Sequence, residues 1–182
     1  KWGVINQDGD EVIQPSYQEM IVIPNKEKDV FICTYDVDEN SGTYKTKAIN
    51  SKNEQLFTSY TSVEPLSNYN SNKETWYETT ALKVQKDGKY GLINIDGNEI
   101  LSCMYDKVDT IKGIKNSILI QKDGLYGVVN ATGNIIIEPQ YSDIQGLTDE
   151  YTNGYIVKNS ENSYGVIGVN KEQILDCKYS DI

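Results

Sequence analysis

The chain has no histidine and no arginine in its 182 residues, and only 3 cysteines, 4 prolines and 2 phenylalanines. Without histidine the side chain that titrates nearest neutrality is missing, so no Ser-His-Asp or Cys-His nucleophile can be assembled. The commonest general base and metal ligand goes with it. The cysteines, Cys33, Cys103 and Cys177, are too few and too scattered for a disulfide framework or a zinc site. All 17 cationic side chains are lysine, against 27 carboxylates, giving a net charge of −10. Such a chain repels a phosphate backbone and lacks the polybasic face that draws proteins to anionic lipid, which excludes nucleic acid and direct membrane insertion as expectations. No apolar run approaches the roughly 20 residues of a membrane-spanning helix, and no glycine-rich phosphate loop of the P-loop type is present.

What is present is repetition. Tyr90-Gly91-Leu92-Ile93-Asn94 returns as Tyr126-Gly127-Val128-Val129-Asn130 and as Tyr164-Gly165-Val166-Ile167-Gly168, and the chain opens on Trp2-Gly3-Val4-Ile5-Asn6. Thr46-Lys47-Ala48-Ile49-Asn50 is a degraded copy that has lost both aromatic and glycine. Counted at the glycine position, the spacings are 44 (3 to 47), 44 (47 to 91), 36 (91 to 127) and 38 (127 to 165). A second landmark follows each first one: Tyr17, Tyr60, Tyr105, Tyr141 and Tyr179, each with an apolar residue three positions on (Met20, Val63, Val108, Ile144, Ile182). Two landmarks in register over five copies define a tandem array, with units at about 1–29, 30–79, 80–112, 113–149 and 150–182 forming one domain.

Each unit reads as short strands and tight turns. In the fourth copy, residues 117–121 and 125–130 form strands around Asp123-Gly124, a dipeptide that supplies the positive φ of a hairpin turn. Thr132-Gly133-Asn134 is a second turn, Ile135-Ile136-Ile137 a third strand ended by Glu138-Pro139, and residues 141–144 an extended tail or fourth strand. Tyr90 and Leu92 alternate with Gly91 and Ile93, so both faces of the middle strand are apolar and neighbouring units are expected to cover it on both sides. Glycine beside the aromatic suggests a bare floor for a neighbouring ring. Cys103 and Cys177 take a place that proline holds in other copies, which suits small packing or turn residues. No helical periodicity of useful length is found.

These residues resemble the WG-repeat family, also called KWG repeats: a Trp/Tyr-Gly strand, a turn ending in glycine, an apolar strand, then a Pro-x-Tyr-Asp-type segment. Lys1-Trp2-Gly3-Val4-Ile5-Asn6-Gln7-Asp8-Gly9 with Pro15-Ser16-Tyr17 carries the likeness, as do residues 89–106 and 126–141. The second copy departs from the pattern and is the one least expected to carry a ligand. The resemblance implies an all-β array of meander units, either propeller-like or an open curved solenoid. It also implies an interaction role without catalytic residues, and a bacterial setting in which the protein is secreted or envelope-associated. The richness in lysine, asparagine, isoleucine and tyrosine fits an AT-rich bacterial genome. The chain starts inside a motif and is read as part of a longer protein.

No catalytic residue, metal or cofactor is assigned. Carboxylate pairs for glycoside hydrolysis are numerous but fall in turns or alternate with apolar residues, as solvated acids do. Gln7-Asp8-Gly9-Asp10 clusters oxygen ligands, and Asp36-Val37-Asp38-Glu39-Asn40 has the first three ligand positions of a calcium loop. The latter has Ser41 where that loop needs glycine and Lys47 where it needs glutamate. Tyr69, Trp76 and Tyr77 are the candidate binding residues, because they lie in a polar insertion, 67–80, that the shorter units lack. Trp2, Gly3, Tyr17, Tyr60, Tyr90, Gly91, Tyr105, Tyr126, Gly127, Tyr141, Tyr164, Gly165 and Tyr179 are assigned to packing of the repeat. The first expectation is a protein or peptide partner, the alternative is carbohydrate bound through exposed aromatics, and a structural spacer is the third.

Overall fold

The computed structural model describes residues 1–69, 72–147 and 154–182. Among these there is no helix, only strands and the turns and loops that join them. β1 (Trp2–Ile5) and β2 (Glu11–Tyr17) form a hairpin. β3 (Phe31–Asp38), β4 (Thr43–Ile49) and β5 (Gln55–Leu56) form a second sheet, extended at its free edge by a bridge from Val22 to Ile32. The third sheet holds β6 (Ser62–Tyr69), β7 (Thr75–Lys86), β8 (Lys89–Asn94) and β9 (Glu99–Tyr105). The fourth holds β10 (Lys107–Thr110), β11 (Ile118–Lys122), β12 (Leu125–Val129) and β13 (Ile135–Tyr141). The fifth holds β14 (Asp143–Gly146), β15 (Gly154–Lys158), β16 (Tyr164–Gly168) and β17 (Gln173–Tyr179). Each sheet is an antiparallel meander in chain order, and the aromatic-glycine motif sits on β1, β8, β12 and β16, with its degraded form on β4.

The fourth and fifth sheets each open just after the landmark tyrosine that closes the one before: Tyr105 closes β9 and Lys107 opens β10. The units delimited in sequence are a different phase of the same period. The 79/80 boundary falls inside β7, and the 149/150 boundary lies outside the described residues. Residues 141–144 are therefore neither one tail nor a fourth strand of the same sheet. Tyr141 ends one sheet and Asp143 begins the next.

The sheets stack face to face in a row, and each interface is its own core. Ile13 and Tyr17 meet Phe31, Cys33 and Ile49 between the first and second sheets. Ile32 and Ala48 meet Val63, Leu82, Val84 and Ile93 between the second and third. Leu92 and Tyr105 meet Val108, Ile118, Ile120 and Val129 between the third and fourth, and Val128 and Ile137 meet Ile144, Tyr155 and Val157 between the fourth and fifth. The middle strand is thus covered on both sides: Leu92 packs forward and Ile93 backward, both wholly buried. The row does not close, since among the described residues no hydrophobic cluster joins the fifth sheet to the first.

The turns follow from residue chemistry. Asp87-Gly88 and Asp123-Gly124 all have positive φ, as a type I′ hairpin needs. The motif asparagine staples the next turn. Asn130 Oδ1 accepts the N–H groups of Thr132 (3.0 Å) and Asn134 (2.9 Å), and Asn6, Asn50 and Asn94 do the same two and four residues on.

The motif glycine has a different reason from the one expected. The pairs Tyr126↔Tyr141 and Val128↔Ile137 leave Gly127 alone opposite residues 138–140, so β13 bulges toward it and runs on through Pro139 rather than ending there. A Cβ on Gly127 would stand 2.5 Å from the Ile137 carbonyl oxygen and 2.7 Å from the Pro139 nitrogen. Gly3, Gly91 and Gly165 face the same wall, formed by the carbonyls of Ile13, Leu101 and Leu175. The glycine admits the backbone of the paired strand, not a neighbouring ring. In the second sheet the pairing stops at Ala48↔Leu56, and Phe57 turns the chain away at φ 54. Nothing bulges against position 47, so a lysine is accommodated there, with its ammonium over the rings of Tyr17 (5.6 Å) and Tyr35 (5.2 Å).

Candidate functional site

The three aromatics expected to bind stand on strands, not on a loop. β6 and β7 extend as a hairpin in which Ser67 pairs with Tyr77, Asn68 with Trp76 and Tyr69 with Thr75; residues 70 and 71 lie outside the described residues. Alternation puts Trp76 on the face of Asn68, and Tyr69 and Tyr77 on the other, so the three rings do not share one platform. Asn68 is buried and donates to the carbonyls of Ile111 (2.8 Å) and Ile114 (3.1 Å), fixing the hairpin to the fourth sheet. Trp76 is half-buried beneath the Lys115 ammonium (5.5 Å), and Tyr69 is exposed beside Lys112 (5.6 Å). The Trp76 indole N–H is shut from solvent and has no hydrogen-bond partner.

The calcium-like segment is a hairpin tip that uses its own acids. Asp38 accepts from the Asn40 N–H (2.9 Å) and the Ser41 hydroxyl (2.8 Å), which holds its carboxyl below the usual range, and Asp36 pairs with Lys45 (2.8 Å). Cys33 is buried, and Cys103 and Cys177 are half-buried; all three are free thiols, and burial pushes each of them up in pKa.

One opening lies at the degraded copy. The face of the second sheet that packs on the third carries Ile32 and Ala48 and then, further along, Thr34, Thr46 and Tyr44. Where the core ends, a groove of about 580 Å³ opens, bounded by β3 and β4 on one side and by residues 64–67 of β6 on the other. That size suits a small ligand or a few side chains of a peptide. β6 is the edge strand of its sheet, and its residues 64–67 border the groove. Pro65 has no N–H and the Ser67 carbonyl accepts the Thr110 hydroxyl at 2.6 Å, so a short stretch of edge is left to receive an extended peptide.

Position 46 is where other copies carry the motif aromatic. There the ring pairs across to the landmark tyrosine, as in Tyr90↔Tyr105 and Tyr126↔Tyr141. With β5 ending at Leu56 there is no such partner strand, and threonine in place of an aromatic leaves the space open. Thr46 is only 6% exposed, and its hydroxyl has no hydrogen-bond partner. A buried hydroxyl left unpaired costs about 1–3 kcal/mol, so the groove lacks one polar atom that its wall requires.

The rim supplies apolar surface and charge. Met20 (54% exposed) and Tyr44 (57%) stand outward. Met20 departs from the expected pattern: Val63, Val108 and Ile144 at the equivalent place are buried, whereas here Ile21, one residue on, is buried instead. Glu19, Glu64 and Asp109 bring three carboxylates to the groove and Lys83 one ammonium. Lys83 is held by Glu64 at 2.6 Å and lies 5.4 Å from the Tyr90 ring centre. Glu19 has no partner among the described residues, and Asp109 has Lys107 at 3.8 Å. Met20 and Thr46 entered the sequence reading only as repeat positions, and Tyr44 not at all; none was assigned to binding. The available signal was the missing aromatic at position 46.

A second cavity, of about 570 Å³, lies between the fourth and fifth sheets and is lined by Asn116, Asn130, Asn134 and Asn170 with Tyr155. The Tyr155 hydroxyl is bound to Ser117 at 2.6 Å.

A family model described as a WG containing repeat matches residues 2–25, 90–126 and 126–157, about half of the chain. It passes over 158–182 and also 26–89, which contains the degraded copy and the long hairpin. No curated protein matches the chain.

Proposed function

The chain belongs to the WG-repeat family, and on that premise we propose that it is a non-catalytic module that binds a protein segment in extended form. The observation that carries this reading is the groove at the second copy, with its sheet edge, outward Met20 and Tyr44, and unpaired Thr46 hydroxyl. A peptide laid along β6 offers backbone groups to that edge and to Thr46, and side chains to the apolar rim. The lack of any histidine in the chain supports a binding role over acid–base chemistry. The setting that we propose is the bacterial envelope or exterior, on the strength of the resemblance and the composition.

The test is to pan the chain against a random peptide library, with Thr46→Tyr as counter-selection. That substitution restores the motif aromatic and fills the groove. Peptides enriched on the wild type and lost on the variant support the reading; enrichment that ignores the variant sinks it. Carbohydrate is the second reading, favoured by the four asparagine side chains and the tyrosine of the second cavity. It requires glycan binding that survives Thr46→Tyr. A Trp76→Ala, Tyr77→Ala variant asks whether the hairpin aromatics take part.

A further inference from the structure

We infer that the groove selects a cationic segment, one that places lysine or arginine side chains between Glu19 and Asp109; this rests on the peptide reading above. Three carboxylates line the groove, and its one ammonium, Lys83, is committed to Glu64 and to the face of Tyr90. Glu19 is exposed and unpartnered among the described residues, and Asp109 accepts the Thr110 N–H at 2.8 Å but has only a loose ionic contact, to Lys107 at 3.8 Å. A bound cation therefore meets carboxylates whose charge is not already neutralised at close range.

The rest of the wall suits the same guest. A lysine or arginine carries an apolar stem below its charge and buries that stem readily. Met20 and Val37 receive a stem, and the exposed ring of Tyr44 offers its face to the cationic head. Thr46, nine-tenths buried and without a partner, takes a hydrogen bond from a ligand N–H or gives one to a ligand carbonyl. The net charge of −10 draws a basic segment toward the molecule from a distance, while the groove decides where it docks. A smaller cavity two repeats on, between the fourth and fifth sheets, is about 290 Å³ and brings Lys112 but no carboxylate to its wall.

The experiment uses a fluorescein-labelled peptide alternating lysine and valine, and a twin with norleucine for lysine, read by anisotropy at low and at physiological ionic strength. The wild type is expected to bind the lysine peptide at least about 10-fold tighter than the norleucine twin. Glu19→Gln with Asp109→Asn removes most of that difference. Glu161→Gln with Glu172→Gln, in the turns between strands of the fifth sheet, makes the same change in net charge and leaves it intact. Thr46→Val weakens both peptides. Equal binding of both peptides, abolished by Thr46→Tyr, overturns the cationic preference and leaves the peptide reading standing. Loss caused equally by the distant pair overturns it too, as attraction to the net charge alone. Failure of both peptides to bind removes both readings.

Discussion

Replacing Gly127 with alanine tests the account of the repeat most directly. Its φ is not in the left-handed region, so alanine meets no backbone penalty and, without the bulge, would stabilise the chain by about 0.4–1 kcal/mol through the unfolded state. The bulge reverses the sign. The added methyl would lie 2.5, 2.7 and 2.9 Å from three backbone atoms of β13, where ordinary contact begins at 3.4 Å. The strand must retreat by about 0.9 Å, by the difference of those distances, and strain of this kind costs about 1–3 kcal/mol. For a chain of this length that is a fall in Tm of roughly 3–10 °C. Two controls fix the interpretation. Gly124 has φ +82 and open space around it, so Gly124→Ala bears only the left-handed backbone cost, about 1 kcal/mol. Lys47 holds the same repeat position where no bulge exists, so Lys47→Ala loses only its ring contacts, about 0.5–1 kcal/mol. Thermal unfolding followed by far-UV circular dichroism ranks the three. A Gly127→Ala chain that melts with the wild type, or above Gly124→Ala, refutes the steric origin of the motif glycine.

Other perturbations follow from the same contacts. Thr46→Val removes a buried hydroxyl without a partner and should raise the urea midpoint, by about 1 kcal/mol in stability, in the absence of ligand. Burial, with Cys33 beside it, pushes Tyr17 up to about 12. The folded chain therefore holds that proton longer than the unfolded one, and stability is full below about pH 10 and falls between about pH 10 and 12, by on the order of 2 kcal/mol. Tyr17→Phe should flatten that alkaline slope in urea titrations. Ser117→Ala strands the buried Tyr155 hydroxyl and should cost about 1–3 kcal/mol; adding Tyr155→Phe should recover much of it, and independent losses in the double-mutant cycle would contradict the pairing.

The array was legible because its two landmarks are bound to backbone geometry. Tyr126 and Tyr141 are cross-strand partners, and so are Tyr90 and Tyr105, so the spacing in sequence is the length of a hairpin plus its bulge. The Asp-Gly turns and the doubly covered middle strand were legible for the same reason, since left-handed φ and two-sided burial leave direct marks on residue type. The bulge was not legible. Pro139 read as the end of a strand because proline lacks an N–H, yet an unpaired bulge residue needs none. The insertion 67–80 read as a loop because it is polar; pairing with β7 and the hydrogen bonds of Asn68 to the fourth sheet make it a hairpin. Met20 was misplaced by one residue, because Met20 and Ile21 are both apolar and only the packing decides which turns inward.

The degraded copy joins these threads, since its three departures are one structural event. β5 ends at Leu56, so no strand crosses position 47 and no bulge forms there. Without the bulge the glycine loses its reason, and a lysine stands in its place. Without the far half of the strand the aromatic at position 46 loses its cross-strand tyrosine, and Tyr60 instead sits beyond a turn closed by its own N–H to the Phe57 carbonyl at 3.2 Å. A ring at position 46 would then pack on one side only, and threonine leaves a groove with an unpaired hydroxyl. In the intact copies the same space is filled by the rings of Tyr90 and Tyr126, which lie against the cores of their interfaces. In such an array the units that keep the motif build the scaffold, and the unit that loses it has the room to bind. The Thr46→Tyr chain separates the two roles: it should fold with unchanged strand content and lose peptide binding, whereas a variant that unfolds the second sheet would mean that position 46 is filled by necessity and the groove is not a site.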